Sequence, residues 1–358
     1  MVVLSGIVAP AQEQTGTITS SVITSGVRPS QAAALSTLPE ADTLIYVSPQ
    51  RILSDAAPKF VPDADLVKMR QQFADIKKGT GVDPSQVEYV ALALRFRKPG
   101  ADLNFQPPEF LIVASGDLSA DSLITMAQLM MSEKWKVEMH GSKSLTLITI
   151  DDFARQAETN PMLKSFTQLG LVALSSNTIA AGSVSYLKAA VDAAEGQNRI
   201  SPETLNSLLR DPSALVSIAG SPLTSFAKSF GLWGTDANSR APLCQSKFGD
   251  FYAAITMEGT SFKLRGILNA DNPDTAKVID NLVSGLMETA TNVSKGDQAA
   301  QMALKMLTIT PQDNELKIEA DVPQQMVVDF IREQLKPKPA AEEKKAAPKP
   351  TKRRTRRR

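Results

Sequence analysis

Histidine and cysteine are almost missing from this chain of 358 residues; His140 and Cys244 are the only examples. A lone cysteine excludes an intrachain disulfide and any metal site built on several thiolates. A lone histidine removes the usual carrier of neutral-pH acid–base chemistry and transition-metal binding, so such a site would rest on carboxylates and lysines. No apolar run approaches the roughly 18–20 residues that a membrane-crossing helix needs. Also missing are a phosphate-cradling glycine loop, a dinucleotide fingerprint, a zinc helix motif, calcium-loop spacing and a nucleophile-elbow serine. No catalytic, cofactor-binding or metal-binding residue is therefore assigned, and no cofactor is expected.

Net charge is small as well, +1, but it hides a segregation. From Lys336 to Arg358 eleven Lys and Arg stand against two Glu, a net of +9, which leaves −8 on the rest of the chain. The tail contains no apolar residue larger than Ala, cannot bury a core, and reads as disordered. Its last seven residues include Lys352, Arg353, Arg354, Arg356, Arg357 and Arg358. Such a cluster attracts phosphate-rich surfaces by counterion release and weakens with salt. In an exported protein the partner would be anionic lipid headgroups or lipopolysaccharide; in a cytosolic one it would be nucleic acid. The bland alternative is a tail that only solubilises.

At the other end, Val2–Val8 is a short apolar run followed by Ala9-Pro10-Ala11 and then polar Gln12-Glu13-Gln14. This resembles the end of a signal peptide with its small-x-small cleavage site. The expectation is an exported protein, periplasmic or extracellular, with the mature chain beginning near Gln12. Residues 1–11 are read as the signal-peptide remnant and 12–37, rich in Ser, Thr, Gly, Gln and Ala, as a flexible leader.

Hydrophobic content of 42% suits a globular body with ordinary cores. Two stretches of that body repeat one order of elements. Leu44-Ile45-Tyr46-Val47-Ser48-Pro49 and Ala214–Ala219 with Gly220-Ser221-Pro222 each read as a strand, a Ser N-cap and a Pro at the first helical position. A hairpin, an amphipathic helix and another hairpin follow in both. The first helix should stop at Pro58, and a longer one carries Leu66, Met69, Phe73 and Ile76, with Gly79 at its end. The clearest helix opens at Asn272-Pro273-Asp274 and presents Ala276, Ile279, Leu282/Val283, Leu286 and Ala290 on one side. Strict alternation in Glu315–Val322 fits an antiparallel strand, dry on one face and wet on the other. The expected fold is α+β, in two tandem modules, 38–200 and 201–335, each of mainly antiparallel sheet covered by helices on one face, followed by the tail 336–358. Each module is expected to carry its own sheet; the alternative is that the two sheets join into one curved sheet.

Ser-x-x-Lys, the nearest approach to a catalytic motif, occurs at Ser185–Lys188 and Ser225–Lys228, about as often as chance allows in a chain this rich in both residues. His140 alternates with Lys136 and Glu138, opposite Trp135, Val137 and Met139, which places it on a solvated strand face. Asp151-Asp152 and the Asp271–Asp274 run precede helices, where carboxylates serve as caps. Cys244 reads as a tucked-in thiol and Trp233 as core.

Leu38-Pro39-x-x-Asp42 before a strand, the Ser176–Ser183 run Ser-Asn-Thr-Ile-Ala-Ala-Gly-Ser, and the strand-to-Ser-Pro step resemble a group of exported proteins of soil bacteria such as acidobacteria. The similarity spans 38–335 and excludes the tail. It implies export and a duplicated α+β module, with no established activity and no site residues to carry over. The reading is a non-catalytic envelope protein that binds or scaffolds an unknown protein or apolar ligand. The opposing reading is a hydrolase with a non-standard Ser/Lys or carboxylate site; a third is a cytosolic protein whose tail binds nucleic acid.

Overall fold

Strand β1 (Thr43–Val47) lies at the middle of the molecule, paired on one side with β2 (Val87–Arg95) and on the other with β8 (Val216–Gly220). The computed structural model describes residues 32, 34–96, 108–130, 135–149, 168–220, 248–293 and 298–328. Beyond β2 come β3 (Glu109–Gly116), β7 (Thr178–Ser183), β6 (Gln168–Ser175), β5 (Lys143–Thr149) and finally β4 (Trp135–His140). Beyond β8 come β9 (Phe248–Glu258), β10 (Ser261–Ala270), β12 (Glu315–Pro323) and finally β11 (Thr308–Gln312). The result is one twelve-stranded sheet in which every neighbouring pair is antiparallel. The fold is α+β, as the alternating strands and amphipathic helices require.

The strands of both modules therefore belong to one sheet. Their meeting line is β1–β8, where Ile45 stands opposite Ile218 with two further pairs on either side. Outward from it, each half runs through a strand pair, a helix and a hairpin: β2, β3, helix α2 (Ala120–Met130), β4 and β5 in the first; β9, β10, helix α5 (Pro273–Val293), helix α6 (Gln298–Met306), β11 and β12 in the second. The first half inserts β6, β7, helix α3 (Val184–Ala194) and helix α4 (Pro202–Leu208) before the chain crosses to β8.

Residues opposite one another in an antiparallel sheet share a face, so register shows what each helix covers. Leu44, Ala93, Leu111, Gly182, Gly170 and Leu147 align across the first half. That face meets α3 and α4, whose Tyr186, Leu187, Ala190, Val191 and Leu208 complete the largest core together with Leu35 and Leu38. Leu35 falls in the segment read as leader, yet it is fully buried. Gly170 permits the close approach of α3: a Cβ there would stand 2.5 Å from a methyl of Leu187. The opposite face receives α2, through Gln128 to Thr146 on β5 at 2.9 Å, and α5. Ala276, Ile279 and Val283 of α5 pack on Phe251, Leu268 and Leu316. A buried residue such as Ile279 contributes about 1.5–3 kcal/mol. Leu282, Leu286 and Ala290 lie outside the described side chains. The expectation of a single covered face per module is thus corrected: in the first half helices lie on both faces.

Local chemistry departs from expectation in a few places. The helical run from Pro49 does not stop at Pro58. It widens into a π turn (Ile52–Ala56) and continues as Ala57–Phe60, with Pro58 among the first positions of that last piece, where its missing N–H costs least. Helix α1 (Asp63–Thr80) ends on Gly81 at φ 73 rather than on Gly79, because the cap needs the left-handed conformation. Its stripe buries Leu66 but leaves Ile76 exposed. Ser48 and Ser183 occupy N-cap positions without capping; Ser48 Oγ donates to the Glu88 carbonyl at 3.3 Å, and Ser183 Oγ accepts from the Phe110 N–H at 3.1 Å. Asn272 does cap α5, accepting from Thr275 N–H at 2.8 Å.

Candidate functional site

The six basic tail residues, Lys352, Arg353, Arg354, Arg356, Arg357 and Arg358, lie outside the described residues. So do Ser225, Lys228, Asp151, Asp152, Trp233 and Cys244. Ser185 and Lys188 are described, and each is engaged by a different carboxylate. Ser185 Oγ donates to Glu109, while Lys188 Nζ donates to Glu138 at 2.5 Å. A Ser/Lys dyad needs the amine at the hydroxyl; here the sheet offers each group an acid of its own.

Glu109 is the hub of a polar cluster in the first half. It is buried at the start of β3, and one of its oxygens accepts from Arg95 Nε at 2.8 Å and Nη2 at 2.5 Å. The guanidinium also stacks 4.4 Å from the ring centre of Tyr186, whose hydroxyl donates to the Glu40 carbonyl at 2.9 Å. Burial pushes the Tyr186 hydroxyl above its ordinary range. Beside it, Asp42 accepts from the Phe96 N–H at 2.6 Å. Burial raises the Asp42 carboxyl, only partly opposed by that hydrogen bond and by Arg95. With its hydroxyls and acids hydrogen-bonded and its guanidinium neutralised and stacked, this cluster fastens the ends of β1, β2, β3 and α3 together.

A second constellation lies at the β4 edge. Lys188, Asp192 and Glu195, on one side of α3 and its C-cap at helical spacing, meet Glu138, His140 and Ser142 at strand spacing. The distances are 2.5 Å for Lys188–Glu138, 2.8 Å for Asp192–His140 Nε2 and 2.8 Å for the Ser142 N–H to Glu195. Hydrogen bonding from Lys188 lowers the Glu138 carboxyl, and the Ser142 N–H lowers Glu195. His140 is thus the partner of Asp192, correcting its reading as a solvated, unengaged side chain. The strand is inverted relative to the simple amphipathic expectation. Its polar side packs against a helix, and its apolar side is open: Trp135 is 36% exposed, Val137 51% and Met139 65%. Leu129 and Met130, closing α2 on that same face, are 79% and 78% exposed. Alternation alone could not show this, because it reports two faces without saying which one a helix will claim.

On the second half, an open recess of about 450 Å³ is lined by Lys263, Arg265, Glu319 and Asp321 with Met306 and Thr308. Register places Lys263 opposite Asp321 and Arg265 opposite Glu319. Lys263 also pairs with Glu258 at 2.6 Å. The charges are balanced across strands, as befits the wet face of a sheet. Among the described residues no group of three or more His, Cys, Asp or Glu is placed to hold a metal, and no helix is long and apolar enough to cross a membrane.

No protein-family model matches the chain, and a comparison with curated proteins returns no match. Among solved structures, the chain is similar to crystal form I of TP0453 at 12% identity and a TM-score of 0.40, covering 86% of this chain and 98% of that one. Crystal form III of TP0453 gives 11% identity and a TM-score of 0.41, covering 84% and 97%.

Proposed function

We propose that this protein is a non-catalytic binding or scaffold protein of the cell envelope, exported and held at anionic surfaces by its C-terminal segment. The carrying observation is the separation of charge, +9 from Lys336 onward against −8 on the rest. An acidic body is repelled on average by lipid headgroups and lipopolysaccharide phosphates, so attraction falls to Lys352, Arg353, Arg354, Arg356, Arg357 and Arg358. At about 1 kcal/mol per basic residue near such a surface, six suffice for reversible attachment. The scaffold reading draws support from the cores and polar clusters, which tie strands to helices: Glu109 joins Arg95 to Ser185, and Glu138 holds Lys188. The apolar run ending at Ala11 and the resemblance to exported soil-bacterial proteins support export.

Cell fractionation with N-terminal sequencing tests the compartment and the attachment together. The expected result is recovery in the envelope fraction, release by high salt, and a mature start near Gln12. Recovery from the cytosol alone, with Met1 intact and nucleic acid co-purifying, would instead favour the nucleic-acid reading.

A further inference from the structure

The two ends of the sheet are finished differently. Edge strand β11 carries Pro311 among five residues, and proline offers no N–H to a further strand. Edge strand β4, Trp-Lys-Val-Glu-Met-His, has no proline and no register shift against β5. Among the described residues, no strand pairs with its outer side. The turn to β5 is the two-residue Gly141-Ser142, with Gly141 at φ 55 in the first position, as a type II′ hairpin requires. Such a turn makes His140 and Lys143 a hydrogen-bonded pair. Alternation from there directs the N–H and C=O groups of Met139, Val137 and Trp135 outward.

We propose that β4 is a self-association edge: two copies of this chain pair β4 against β4 antiparallel about a twofold axis at Val137. In this register Val137 faces its own copy and Trp135 faces Met139 on the open apolar side. Lys136 faces Glu138 on the polar side, once in each direction. The neighbouring registers that keep the two faces matched set either Lys136 against Lys136 or Glu138 against Glu138, so charge selects the Val137-centred one. As in those neighbouring registers, the outward backbone groups meet as hydrogen-bonded pairs, so the choice falls to charge. The contacts of Glu138, His140 and Ser142 with α3 hold the strand straight from behind. Leu129 and Met130, at the end of α2 on that same face of the sheet, are exposed as well. A second copy thus covers an apolar strip that the chain itself leaves wet, and it joins two twelve-stranded sheets into one.

The test uses the full chain at near-physiological salt, where charge pairs between adjacent strands are still felt. Sedimentation equilibrium is expected to show a monomer–dimer equilibrium. Lys136→Glu sets an acid against Glu138, and Val137→Pro removes an outward donor while sparing the bonds to β5; each should weaken association roughly tenfold or more. Thermal unfolding of both variants checks that the fold is retained. In a Cys244→Ser background, Val137→Cys should cross-link to itself on mild oxidation, since hydrogen-bonded pairs set Cα atoms about 5.5 Å apart. Trp135→Cys should cross-link far less. A chain that stays monomeric at all concentrations, dimerisation indifferent to both substitutions, or equal cross-linking from positions 135 and 137 would each overturn the proposal.

Discussion

Arg95 and Asp42 show how half-buried charged side chains are held in a protein with one histidine and no metal cluster among its described residues. Arg95 is neutralised by Glu109 and lies against the Tyr186 ring; Asp42 has a backbone N–H but is held in a place that disfavours its charge. Its folded carboxyl keeps its proton to a higher pH than in the unfolded chain. Below the unfolded value both states are neutral and nothing is lost. As pH rises through the folded value, ionisation is penalised in the folded state alone, and stability falls. Asp42→Asn keeps an acceptor for the Phe96 N–H while removing the charge. Urea unfolding should find this variant more stable than the parent near neutral pH, with the difference vanishing in acid. A parent that is the more stable of the two at neutral pH would show that attraction to Arg95 outweighs burial.

At the scale of elements, close approach matters more than propensity. A Cβ on Gly182 of β7 would lie 2.2 Å from the Phe110 carbonyl oxygen, a backbone atom that cannot move aside without disturbing β3. A Cβ on Gly170 would meet the end of the Leu187 side chain, which can rotate. Gly182→Ala should therefore cost roughly 2–4 kcal/mol and Gly170→Ala roughly 1 kcal/mol, as measured by chemical denaturation. Equal costs would mean that the strand is freer than its contacts indicate. Much at this scale was legible beforehand. Two-residue alternation located β12, helical spacing located α5, and Asn272 announced its helix. Strand β11 was not delineated, because Thr308–Gln312 carries a proline and little apolar weight. The side of β4 that α3 would claim was hidden too, since it depends on Lys188, Asp192 and Glu195 arriving from some fifty residues later. Arg95 and Glu109 escaped notice for the same reason: they meet only once β2 and β3 are paired.

For the whole molecule, the seam at β1–β8 and the charge segregation are the organising features. The seam joins two similar runs of elements into one sheet, a connection that neither run could reveal alone. The segregation was visible in the sequence from the start, and the account of function rests on it. Binding to vesicles of anionic and of zwitterionic lipid, measured across a salt series for the full chain and for a chain ending at Leu335, tests that account most directly. The full chain should bind anionic vesicles at low salt and leave them at high salt, while the shortened chain binds neither kind. Equal binding by the two chains, or binding indifferent to salt, would contradict it and place any surface site on the body.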